Sequence, residues 1–133
     1  MKKIEHIGIA VNDINKSNEL FSKIFGEENY KSEIVESEGV ITSFFQIGEN
    51  KIELVEAINL DSPISKYLQK NREGMHHISF EVEDIVREMA RLKGEGIRLL
   101  NDMPKKGADN KIICFLHPKD TNGVLIELCQ EIL

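Results

Sequence analysis

Apolar and polar residues alternate in two widely separated stretches of the chain, and the two stretches match. His6-Ile7-Gly8-Ile9-Ala10-Val11-Asn12-Asp13-Ile14 corresponds to His77-Ile78-Ser79-Phe80-Glu81-Val82-Glu83-Asp84-Ile85, with His, Ile, Val, Asp and Ile coinciding at an offset of 71 (77 minus 6). A period of two predicts a strand in each, with Ile7, Ile9 and Val11 on one face and Ile78, Phe80 and Val82 on the equivalent face. The period then lengthens to that of a helix. Asp13 and Asp84 are natural N-caps, because a short carboxylate accepts from the free amides of a first turn. The first helix, near 13–25, carries Ile14, Phe21, Ile24 and Phe25 on one side and ends at Gly26. The second, near 84–93, carries Ile85, Met89 and Leu92 and ends at Gly94 or Gly96.

Shorter strand-like segments follow each helix, at about 30–37, 40–47 and 51–56 in the first half and 97–101, 111–116 and 123–129 in the second. Glu38-Gly39, Gly48-Glu49-Asn50 and Thr121-Asn122-Gly123 supply turn chemistry between them. Each half is therefore β-α-β-β-β, and the pattern predicts an α+β fold of two βαβββ modules forming a curved mixed sheet. The modules cover about 1–56 and 76–133. Residues 57–75 link them through a short helix with Pro63 at or near its first position. A chain of 133 residues fits a single domain.

The face opposite the helices carries the chemistry. Lys51-Ile52-Glu53-Leu54-Val55 resembles Leu125-Ile126-Glu127-Leu128-Cys129 through a shared Ile-Glu-Leu, so each half offers one His on its first strand and one Glu on its last. Ile52 and Leu54, like Ile126 and Leu128, take the helix-covered face, and alternation turns Glu53 and Glu127 the other way, with His6 and His77. A carboxylate flanked by Ile and Leu in mid-sheet is expensive unless paired or bound to a cation. Two such carboxylates and two imidazoles predict one divalent cation held by His6, Glu53, His77 and Glu127. His76 competes with His77, but alternation places it with the apolar set and the repeat register selects its neighbour.

A net charge of -6 excludes nucleic acid as the main partner, since phosphate backbones need a basic face. Cys114 and Cys129 are too few for a disulfide framework and lie in apolar runs. The first residues lack a signal-peptide core and no apolar run approaches membrane-spanning length, which leads to the expectation of a cytoplasmic protein with no membrane partner.

Beyond the repeat, the chain resembles the vicinal-oxygen-chelate (glyoxalase-like) superfamily, and within it the methylmalonyl-CoA epimerases. His6-Ile-Gly-Ile-Ala-Val carries the general likeness; Asp61-Ser-Pro-Ile, Gly74-Met-His-His-Ile, Phe115-Leu-His-Pro-Lys-Asp and Gly123-Val-Leu-Ile-Glu-Leu carry the narrower one. The resemblance implies that His6, Glu53, His77 and Glu127 hold cobalt, with manganese, nickel or zinc as alternatives, often in a homodimer. It also implies that Glu127 doubles as the acid/base on one face of a substrate whose 2R and 2S epimers exchange by α-proton abstraction through a metal-stabilised enolate. Some epimerases have a second catalytic Glu three residues after the Gly opening the second strand of the module. Here that Gly is Gly39 and the position is Thr42, which cannot act as an ordinary base near neutral pH.

An acyl-CoA substrate needs a local basic strip on an acidic protein. Lys105, Lys106, Lys111 and Lys119 cluster in and around the loop Gly107-Ala108-Asp109-Asn110, and His117 adds a hydrogen-bonding group. A lactoylglutathione lyase uses much the same ligand set and is the nearest alternative. A non-catalytic binding member of the superfamily is another, although such proteins commonly lack the ligands, and an extradiol dioxygenase normally needs only two His and one carboxylate.

Overall fold

In the computed structural model, which describes all 133 residues, both strand-to-helix passages form where the sequence period changes. β1 (Lys3–Ala10) leads into α1 (Ile14–Phe25), followed by β2 (Lys31–Val35), β3 (Val40–Ile47) and β4 (Asn50–Ala57). α2 (Pro63–Lys70) connects to β5 (Gly74–Glu81), which leads into α3 (Ile85–Gly94), β6 (Lys105–Lys106), β7 (Lys111–Phe115) and β8 (Ile126–Glu131). β2, β3 and β4 lie side by side in that order, as do β5, β8, β7 and β6, and the βαβββ repeat is realised twice. No helix is long and apolar enough to cross a membrane.

The helix starts show why the repeat folds alike in both places. The Asp13 carboxylate accepts from the amides of Asn15 and Lys16 at 3.1 and 3.2 Å, and that of Asp84 from Arg87 at 3.1 Å. The next free amide is met from the last strand of the same module. Ile14 N donates to Glu56 Oε1, and Ile85 N to Gln130 Oε1, each at 2.8 Å. Glu56 lies three residues after Glu53 and Gln130 three after Glu127, so each last strand carries both a candidate ligand and a helix-capping side chain. α1 ends at Gly26, whose φ of 74° is the left-handed turn that a residue without Cβ adopts freely. α2 begins with Pro63 as its first residue, behind the cap Ser62.

Several boundaries differ from the sequence pattern. β2 stops at Val35 because Glu36–Glu38 coil into a 3-10 turn closed by left-handed Gly39. Residues 97–101 form only a single bridge, Leu99 to Leu116, and the hairpin partner of β7 is instead β6. The final strand starts at Ile126 rather than 123, since Asn122 and Gly123 turn with φ of 56° and 81°. Ile24 is 61% exposed: the core-facing stripe of α1 runs through buried Ile14 and half-buried Phe21 and Phe25, with Asn18 between them bonded to Ser43 Oγ at 2.5 Å.

The chain divides into two compact units, Ile7–His76 and Met1–His6 with His77–Leu133. In the first, β2, β3 and β4 form an antiparallel meander, and Val11, Ile14, Phe45 and Leu54 make a core flanked by Phe21, Phe25 and Ile52. In the second, β5 runs parallel to β8, which is antiparallel to β7. Its core is Val82, Ile85, Met89, Cys114, Leu116 and Leu128. The division falls directly after His6 and directly before His77, so both histidines belong to the unit that contains Glu127.

Candidate metal centre

Register sets the direction of each side chain. β5 and β8 align Ile78 with Ile126, Ser79 with Glu127 and Phe80 with Leu128. Ile126, Leu128 and Phe80 pack into the α3 core, which turns Ser79 and Glu127, with His77 two residues back along β5, to the other face. On β1, His6 is buried beside them. His6, His77 and Glu127 are all about 95% buried, at 6%, 6% and 5% exposure.

They converge. His6 Nε2 lies 3.1 Å from His77 Nε2 and 3.4 Å from Glu127 Oε1, and the three ligand atoms are all within 4.8 Å of one another. The imidazoles meet edge to face, with centroids 5.2 Å apart and planes at 87°. The Phe115 ring braces His77 from another side at 5.9 Å. Three electron-pair donors facing one point repel unless a proton or a cation lies among them. Ligand bonds of about 2.0–2.2 Å around one ion give donor separations of roughly 3 to 4.4 Å, and the separations of His6 from His77 and from Glu127 fall in that range.

The shell of the cluster is polar and enclosed. Glu5, 2% exposed, places its Oε1 2.9 Å from His6 Nδ1. Ser79 is fully buried next to Glu127 in the register. Burial holds the Cys129 thiol at about 12 and Cys114 at about 11, and the charge of Glu127 adds to both, so neither is a nucleophile at neutral pH. Sequence reasoning missed Glu5, Ser79 and Phe115. Only the matching Ser79–Glu127 positions left a trace, and that needs the strand pairing to be read.

The other expected residues lie as follows. Glu53 is buried on β4 of the first unit, opposite Phe44 in the antiparallel register and 6% exposed. Thr42 shares that face, opposite Val55 on one side and Glu33 on the other; it is 1% exposed and its hydroxyl donates to the Glu33 carbonyl at 3.4 Å. His76 packs its ring edge-on against Tyr67 at 4.9 Å. Lys105, Lys106 and Lys119 are exposed, whereas Lys111 is buried and its Nζ donates to the Asp109 carbonyl at 3.3 Å, inside the loop it follows. Gly107 is buried against Ile113. His117 accepts from the Lys119 amide through Nδ1 at 3.1 Å. That turn is tied down by Arg98, which grips Asp120 with its amide, Nε and a terminal nitrogen at 2.8–2.9 Å.

Residues 5–115 match the Glyoxalase/Bleomycin resistance protein/Dioxygenase superfamily. The chain is 40% identical over 130 residues to the ethylmalonyl-CoA/methylmalonyl-CoA epimerase of Cereibacter sphaeroides, spanning 96% of this chain and 97% of that protein. It is 37% identical over 130 residues to the uncharacterized protein YqjC of Bacillus subtilis, spanning 98% and 93%. Among solved structures, a single-substitution variant of Streptomyces coelicolor methylmalonyl-CoA epimerase, in complex with 2-nitronate-propionyl-CoA, superposes with a TM-score of 0.96 at 36% identity, covering 100% of this chain and 99% of that one. Fold, superfamily match and full-length identity agree, and the chain belongs to the Glyoxalase/Bleomycin resistance protein/Dioxygenase superfamily, with methylmalonyl-CoA epimerases among its relatives.

Proposed function

We propose that this protein interconverts the 2R and 2S epimers of methylmalonyl-CoA by moving the α-proton. The convergence of His6, His77 and Glu127 within 4.8 Å carries the reading, in a chain 40% identical to an ethylmalonyl-CoA/methylmalonyl-CoA epimerase over nearly its whole length. Two imidazole nitrogens and a buried carboxylate oxygen suit a borderline divalent cation, and cobalt, manganese, nickel and zinc all accept such donors. His6, His77 and Glu127 would hold it. Glu53 joins the set on the strength of the sequence repeat and the family likeness. A cation held there would supply Lewis-acid stabilisation of the negative charge that develops on the substrate.

The chain's own residues do the rest. Glu127 faces His6 through Oε1, and the carboxylate's other oxygen takes the α-proton. The bonding pair of the broken C–H bond stays on the substrate and spreads into the thioester carbonyl. A bound water on the opposite side returns a proton to the α-carbon, and Glu127 passes the proton it took back to solvent, which completes inversion and resets the site. The near-complete burial of this cluster keeps bulk water from competing. Exposed Lys105, Lys106 and Lys119 in the same unit, with the Nε2 of His117 and the backbone at Gly107, are assigned to the anionic CoA portion. Lys111, held against the Asp109 carbonyl, shapes the loop they flank. The reading includes a homodimer acting in the cytoplasm.

One epimer of methylmalonyl-CoA, supplied in deuterated water, tests this. Deuterium should enter the α-carbon while the other epimer appears, and chelator should stop both. Glu127→Gln should slow exchange by about 10²–10⁴-fold, the usual contribution of a positioned base. Turnover of methylglyoxal with glutathione, in the absence of any exchange into methylmalonyl-CoA, would refute the reading.

A further inference from the structure

We propose that Glu5 is a positioning residue of this centre: its carboxylate keeps the proton on Nδ1 of His6, so that Nε2 presents its lone pair to the cluster. The inference rests on reading His6, His77 and Glu127 as a cation site, and it adds a residue that neither the repeat nor the family motif selects.

Simple alternation along β1 sends adjacent residues to opposite faces, so Glu5 and His6 should not meet. Yet Glu5 is 2% exposed, deeper than any member of the triad, and its Oε1 lies 2.9 Å from His6 Nδ1. Burying a carboxylate is costly unless donors face it. An ionised carboxylate only accepts, so the shared hydrogen belongs to Nδ1. A neutral imidazole has one N–H, and Nε2 is thereby left as the acceptor. The consequence reaches the next ring. The two Nε2 atoms are 3.1 Å apart, so with Nε2 of His6 bare any hydrogen between the rings is one that His77 supplies. With the hydrogen on the wrong nitrogen, His6 would turn an N–H toward the ion's position and toward His77 alike. A carboxylate behind a ligating imidazole also restrains ring rotation and raises the basicity of the coordinating nitrogen.

Two measurements on the full chain test the assignment. The first needs no ion: nitrogen-15 spectra of the metal-free protein at mildly alkaline pH should show His6 protonated on Nδ1 and bare on Nε2. In Glu5→Ala the hydrogen should redistribute toward Nε2. The second is calorimetric titration of the metal-free protein with cobalt(II). Glu5→Ala should bind about 10–100-fold more weakly, the range seen when such outer partners are removed. Glu5→Gln, which keeps a carbonyl acceptor, should recover most of that loss. If Glu5→Ala does not fold, the wild-type spectrum and Glu5→Gln still decide. A wild-type His6 protonated on Nε2, or a folded Glu5→Ala that binds cobalt as tightly as wild type, overturns the proposal. A wild-type protein with the expected His6 spectrum but no cobalt binding would instead refute the cation reading and leave the role of Glu5 toward His6 standing.

Discussion

Gly107→Ala offers a sharp test of how the candidate substrate loop is packed. A Cβ placed on Gly107 would stand 2.9 Å from Ile113 Cδ1, 3.0 Å from Cγ2 and 3.2 Å from Cγ1. The Cδ1 methyl could swing away, but Cγ2 sits on a branched carbon with few rotamers, and Ile113 is 5% exposed. The amide of Gly107 donates to the Lys111 carbonyl at 2.9 Å, so the backbone cannot retreat without breaking that bond. Overpacking of this kind costs about 1–3 kcal/mol. For a chain between the size classes where 1 kcal/mol shifts the melting point by about 4–8 °C and about 2–4 °C, the drop should be roughly 3–15 °C. Ile113→Ala alone should cost about 2–5 kcal/mol through the cavity it leaves. The double variant removes all three clashing atoms and should be more stable than the sum of the singles by about 1–3 kcal/mol, well beyond the roughly 0.5 kcal/mol scatter of independent sites. Gly94→Ala, with no atom within 4 Å of the added carbon in the last turn of α3, should be neutral or stabilising. Thermal and urea unfolding of the four variants gives the answer. Additive singles, or a Gly107→Ala as harmless as Gly94→Ala, would refute the packing argument.

Three other outcomes are expected. Phe45→Ala should lose about 3–5 kcal/mol in urea unfolding, because the ring is 1% exposed and packed 5.4 Å from Phe25 and 6.5 Å from Phe21; a loss under 1 kcal/mol would contradict that core. Cys114 and Cys129 should resist iodoacetamide near pH 8 in the folded protein and react once it is denatured. Because burial raises them from an ordinary 9.0 to about 11 and about 12, folding stability should be undiminished by these thiols below pH 9 and should fall as pH rises through that window, since the unfolded chain loses its thiol protons first. Arg98 holds the Asp120 carboxyl well below the usual carboxylate range, so any difference in melting point between wild type and Asp120→Asn should be present near neutrality and fade as the pH falls below ordinary carboxylate values; a difference that persists in strong acid would rule out the ion pair as its source.

The internal repeat was legible because its parts are local: a period of two, a capping aspartate, a period near 3.6, a glycine. α1, α3 and β3 lie within about a residue of where that pattern placed them. Boundaries slipped at two turns that the sequence did mark, because the chain leaves β2 for a 3-10 segment at Glu36–Glu38 before Gly39 and resumes as β8 only after the left-handed pair Asn122-Gly123. Residues 97–101 look like a strand by composition, yet their amides find only one bridge partner, and strand formation is a property of partners as much as of sequence.

The centre shows the same division. Alternation and the repeat picked out His6, Glu53, His77 and Glu127 and assigned them one face, because side-chain direction along a strand follows from the pleat alone; of these, His6, His77 and Glu127 form the cluster. Their approach to within 4.8 Å follows from the placement of β1 and the parallel pairing of β5 with β8, which bring together residues 71 and 50 positions apart (77 minus 6 and 127 minus 77). The role of Glu5 was invisible for a related reason. Period two separates it from His6, and only the fold buries it deeply enough for its carboxylate to turn back onto the neighbouring ring. Local order is written in neighbouring residues; burial and long-range register exist only once the strands have met.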